Sequence, residues 1–118
     1  MEHITFKEYS KKAQASRDCP DELVYGILGL TEEAGEVSGK IKKYWRDKIY
    51  LHPNDYDFDS IPREDRDAII KELGDVLWYL NDIALHIGTT LNEVAVRNLA
   101  KIKDRVERGT IHGAGDNR

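Results

Sequence analysis

An all-α fold is predicted by three features of this 118-residue chain: apolar residues recur at spacings of three and four, only three prolines and nine glycines interrupt them, and most of these fall between the periodic stretches. The hydrophobic set makes up 40% of the residues and the charged set 34%, enough for one core under a heavily charged surface. The length allows a single domain, predicted over 1–109, followed by a polar tail over 110–118.

The elements follow from local signals. Thr5 with Glu8 is a capping box that opens a first helix over about residues 6–18, ended by the Cys19-Pro20 break. Its apolar face is thin. Asp21 is placed to cap a longer helix in which Leu23, Ile27, Leu30, Ala34, Val37, Ile41 and Tyr44 step by four and three. From Asp47 to Ile61, His52-Pro53-Asn54-Asp55 and further acids read as a loop, and no element is expected there. Ser60 and Pro62 look like the cap and first turn of a third helix whose stripe is Ile69, Leu73, Val76, Leu77, Leu80, Ile83, Ala84 and Ile87, with Gly88 as its stop. Thr90 with Glu93 opens a fourth, carried by Ala95, Leu99, Ile102 and Val106 to Gly109. Four helices are expected to form one antiparallel bundle, completed by a second copy of the chain.

Composition excludes several functions. The net charge is -4 and the pI about 5.5, where a nucleic-acid-binding domain would show a basic excess. Cys19 is the single cysteine, so neither an intrachain disulfide nor a cysteine-based zinc site is possible, which points to a reducing compartment. With no leader-like start and no apolar run of about 18 residues, the expectation is a cytoplasmic chain without a membrane partner.

The chemistry is carried by two acidic motifs, Glu32-Glu33-Ala34-Gly35-Glu36 and Glu72-Leu73-Gly74-Asp75, each holding a carboxylate pair three residues apart. At about 100° per residue, Glu33 and Glu36 lie roughly 80° and 140° from the stripe centre of their helix, and Glu72 and Asp75 roughly 90° and 150° in the same sense on theirs. Antiparallel packing with the stripes facing each other would bring all four together. Unit charges 4 Å apart repel by about 4 kcal/mol at an effective dielectric near 20, so such a cluster needs a cation. Oxygen-only ligands suit Mg²⁺, or Mn²⁺ in its place. The plainer alternative is that these acids only solvate two helix faces. Gly35 and Gly74, each costing about 1 kcal/mol in a helix, suggest that close helix approach is wanted there.

The fourth helix presents Asn98, Lys101 and Arg105 along one edge, in the same rotational sense as the acids. Acids holding divalent ions beside basic groups suit a polyphosphate. Tyr79, one turn after Asp75, is placed to stack on a base or simply to pack, whereas Trp78 points to the opposite side and reads as a subunit contact; Trp45 suits either purpose.

Glu33-x-x-Glu36 followed by Glu72-x-x-Asp75, with the preceding Glu32 and the glycines, resembles the signature of the MazG-like, all-α nucleoside triphosphate pyrophosphohydrolases, and the likeness runs from Leu23 to the end. The resemblance implies that Glu33, Glu36, Glu72 and Asp75 bind Mg²⁺, and that a metal-activated water cleaves between the α- and β-phosphates to release nucleoside monophosphate and pyrophosphate. It implies substrate contacts from Asn98, Lys101 and Arg105, and a homodimer or homotetramer engaged in nucleotide-pool control or house-cleaning. Glu32, beside the ligand pair, is the candidate for accepting the proton of the attacking water. The gap of 35 residues between Glu36 and Glu72 is longer than in compact members and leaves the base and sugar open. In the tail, Gly113-Ala114-Gly115 with His112 and Arg118 would suit a phosphate nest, or else fray.

Other classes lack their marks. No His follows a Glu by three residues, as a di-iron bundle requires; no His-Asp pair is adjacent; no Walker loop is present. The standing alternative is a non-enzymatic helical scaffold with an acidic face, which divalent cations would not stabilise.

Overall fold

The computed structural model describes residues 2–112 and 115. The described residues form four α-helices and no strand, as the periodicity predicts: α1 over Phe6–Ala15, α2 over Leu23–Tyr44, α3 over Arg63–His86 and α4 over Leu91–Glu107. They group into two compact units, one from Asp18 to Ile83 and the other joining the chain's two ends, up to Arg17 and from Ala84 onward. No described helix is long and apolar enough to cross a membrane.

In the Asp18–Ile83 unit, α2 begins at Leu23 with Glu22, not the expected Asp21, in the N-cap position, and the Glu22 side chain makes no cap bond. Antiparallel α3 lies against it. A Cβ on Gly26 would come within 2.7 Å of Asp82 Oδ2, and one on Gly29 would strike the Tyr79 ring. These glycines permit the close approach because they carry no side chain. Their flank of α2, rather than the apolar stripe, therefore meets α3, and the expectation of stripe facing stripe is corrected. Ile27 stays 48% exposed and Leu73 49%. Gly35 and Gly74 are corrected with them: a Cβ at either position would meet nothing of a neighbouring element within 4 Å.

Past Tyr44 the helix does not stop as expected but widens into a π-helical turn over Trp45–Tyr50. Long-range ties hold it. The Tyr44 hydroxyl donates to the Asp57 carbonyl at 2.7 Å, and Lys48 reaches Asp65 Oδ2 at 2.6 Å and Glu64 Oε1 at 2.9 Å. The rest of the expected loop, up to Pro62, carries no regular element. Ser60 does not cap α3; its hydroxyl and amide donate to Asp57 Oδ1 at 3.0 and 2.8 Å.

In the other unit the local signals are realised. Thr5 and Glu8 form the reciprocal capping box of α1, which ends at Ala15, short of the expected break. The Thr5 hydroxyl and amide hold the Glu8 carboxyl below its ordinary range. Gly88 and Gly109 take positive φ, 78° and 68°, just beyond α3 and α4, and the amides of Thr89 and Thr110 donate back to Ala84 and Arg105 at 2.9 Å each. That is the left-handed residue glycine supplies at a helix stop. Thr90 caps α4, accepting from the Glu93 amide at 3.1 Å, while the Glu93 carboxylate turns to the Thr89 hydroxyl at 2.7 Å instead of closing the box.

Leu91 and Arg105 are the buried residues of α4, so its expected inward stripe is corrected as well: Leu99 is 68% exposed, and Ile102 and Val106 are exposed too. A groove of about 530 Å³ runs beside Phe6, Leu85 and Leu91, with Lys7 and Lys11 on its wall and no carboxylate.

Candidate metal centre

The register of α2 against α3 builds the site. With Gly26 opposite Asp82 and Gly29 opposite Tyr79, one further turn along α2 and one back along α3 bring Glu33 to Asp75, on the same flank of each helix. Glu33, Glu72 and Asp75 each offer a carboxylate oxygen, and all three oxygens lie within 4.8 Å of one another. Glu33 and Glu72 are half-buried and Asp75 is exposed. Glu36 and Glu32 are exposed and outside that trio, but both act on it: the Glu33 carboxyl is pushed up first by burial, then by the charges of Asp75, Glu32, Glu72 and Glu36.

Three hard oxygen donors held together against their own repulsion fit a hard divalent cation. The residues that could hold one are Glu33, Glu72 and Asp75, with Glu36 one turn beyond Glu33 on α2. Opposite charge there relieves both the desolvation and the mutual repulsion that raise Glu33.

An aromatic pocket opens beside the acids. Its volume is about 350 Å³, and Glu33, Asp75, Cys19, Tyr25, Trp78 and Tyr79 line it. Tyr79 sits 6.2 Å from the Tyr25 ring, centroid to centroid, and its hydroxyl pKa is pushed up to about 12 by burial and by a hydrogen bond with Tyr25. Trp78 meets Tyr79 edge-on at 5.1 Å, so its expected placement on the opposite side is corrected: both rings belong to one wall. Cys19, Tyr25 and Trp78 escape a sequence reading built on acid spacing, because their approach depends on how α2 and the segment before it lie against α3. Trp45 is half exposed and packs at a tilt of 37° against Tyr50, 5.4 Å between ring centroids.

Asn98, Lys101 and Arg105 all lie on α4, in the other unit, the first two exposed. Arg105 is 6% exposed, and its Nη2 donates to the Gly115 carbonyl at 3.3 Å. Of the suggested nest, Gly113, Ala114 and Arg118 lie outside the described residues, and His112 and Gly115 are the members inside them.

Comparison with known proteins bears on the chemistry. Residues 26–110 match the model of the MazG nucleotide pyrophosphohydrolase domain, a span that contains both acidic motifs and all of α4. The chain is also similar to the "Gene 37 protein" of Mycobacterium phage L5, 42% identical over 101 residues that cover 86% of this chain and 81% of that one. No solved structure matches.

Proposed function

The chain belongs to the MazG nucleotide pyrophosphohydrolase family, and we propose that it hydrolyses nucleoside or deoxynucleoside triphosphates between the α- and β-phosphates, giving the monophosphate and pyrophosphate. One observation carries the reading: three carboxylate oxygens gathered within 4.8 Å at the edge of an aromatic pocket. The triphosphate is as anionic as the acids, so neither tolerates the other without a cation between them. Mg²⁺, or Mn²⁺ in its place, would be held by Glu33, Glu36, Glu72 and Asp75 and would supply charge neutralisation and a more acidic bound water.

The chain's own residues then divide the remaining work. Glu32, next to Glu33 and exposed, accepts the proton of the attacking water. Tyr79, with Tyr25 and Trp78, offers flat apolar faces suited to a nucleobase. On α4, the exposed Asn98 and Lys101 are suited to the polyphosphate, and Arg105, buried and bonded to the Gly115 carbonyl, joins them only by releasing that bond. A second copy of the chain covers the apolar residues left exposed, Ile27, Leu28, Leu73 and Leu80 among them, as a homodimer or homotetramer. Control or cleansing of nucleotide pools is the corresponding cellular role.

A panel of nucleoside and deoxynucleoside triphosphates incubated with Mg²⁺ and assayed for pyrophosphate tests the reaction and names the base. The expected result is pyrophosphate and monophosphate from the wild type and a loss of about 10²-fold or more in Asp75→Asn at unchanged helical content. Orthophosphate and diphosphate as products, or full activity in Asp75→Asn, would overturn the reading.

A further inference from the structure

One turn beyond Glu36, Lys40 lies on the flank of α2 that faces α3. Its ammonium stands 3.2 Å from Glu72 Oε1; the Glu72 side chain is 17% exposed and that of Lys40 35%. Glu72 is one of the three gathered carboxylates. An ammonium therefore already rests on a carboxylate of the cluster. The same side chain also lines a small cavity of about 170 Å³ with Lys43, Tyr44, Lys48 and two carboxylates, Asp47 and Asp65. Lys48 is committed to Asp65 and Glu64, and those bonds push its pKa up. With Asp65 held by Lys48 and Asp47 by Arg46, Lys40 and Lys43 are the remaining charges of this lining, at the Glu72 end of the site.

We infer that Lys40 is the internal counter-ion of Glu72 in the metal-free protein, that a divalent cation displaces it, and that the displaced ammonium, with Lys43, receives a phosphate oxygen. This rests on the metal-site reading proposed above. A carboxylate that takes a divalent cation holds an ammonium at contact distance less well, because the two cations repel. Occupancy by one is a cost to the other, and the coupling is reciprocal. Lys40 is in this sense a positioning residue: it restrains Glu72 while the metal is away and meets the polyphosphate when the metal is present.

Two probes separate these roles from the reaction itself. Mn²⁺ is titrated, without nucleotide, into the full-length wild type, Lys40→Met and Lys40→Arg and followed by electron paramagnetic resonance. Inorganic pyrophosphate is then titrated calorimetrically at saturating Mg²⁺. Lys40→Met keeps the apolar stem, and circular dichroism reports whether each variant is folded. The expected result is Mn²⁺ binding about three- to tenfold tighter in Lys40→Met, near wild type in Lys40→Arg, and pyrophosphate binding weaker by a similar factor in Lys40→Met alone. Equal Mn²⁺ affinity in wild type and Lys40→Met would overturn the counter-ion role while leaving the metal site intact. Tighter Mn²⁺ with unchanged pyrophosphate would overturn the phosphate role. Absence of Mn²⁺ binding in all three proteins would overturn the inference and the metal site together.

Discussion

The two ends of the α2–α3 contact are built oppositely. At one end Gly26 and Gly29 leave no room for a Cβ against Asp82 and Tyr79; at the other, two turns along, Glu33, Glu72 and Asp75 crowd like charges. The closed end sets the register and spacing, and the open end inherits them. Repelling carboxylates cannot draw helices together, so the convergence of the acids has to be imposed by packing elsewhere. Glycine therefore has two meanings within one helix: contact at Gly26 and Gly29, open space at Gly35.

Substitutions at the two kinds of glycine break this contrast most directly. Gly29→Ala puts a methyl into the Tyr79 ring and should cost about 1–3 kcal/mol, read as a lowered urea midpoint. A neutral result would mean that the closed end does not set the spacing. Gly35→Ala meets nothing within 4 Å and should stabilise by about 1 kcal/mol in the same measurement, through helix propensity alone.

The smallest effect sharpens the open end. Burial and four neighbouring acids raise the Glu33 carboxyl above its ordinary value of 4.5. The folded state then takes up that proton before the unfolded state does as pH falls. The cost of the charge is fully present above the folded pKa and is relieved as pH descends through it towards 4.5. Denaturation of the metal-free protein should show this gain in the wild type and not in Glu33→Gln. The difference between the two isolates it, because Glu8 and Glu93, both lowered, act with the opposite sign below that value.

What was legible in the sequence was local. Thr5 with Glu8, Thr90, Gly88 and Gly109 mark helix ends through neighbours a few residues away, and the structure makes those bonds. The matching offsets of the two acid pairs were legible because helical geometry alone sets them. Which flank of each helix would meet the other was not. A stripe such as Leu23, Ile27 and Ile41 looks the same whether this chain or another covers it, and a glycine costs the same whether or not a ring rests on it. The π-helical turn was invisible for a related reason: its ties run from Tyr44 to Asp57 and from Lys48 to Asp65, 13 and 17 residues away. Lys40 left a trace, four residues after Glu36, but its partner lies on another helix.

Thermal melting of the wild type and Glu72→Gln with and without millimolar Mg²⁺ addresses the gathered carboxylates most directly. A cation bound by the trio should raise the wild-type midpoint by about 5 °C or more and leave Glu72→Gln nearly unmoved. Equal shifts in both proteins, or none in either, would contradict a metal centre between α2 and α3.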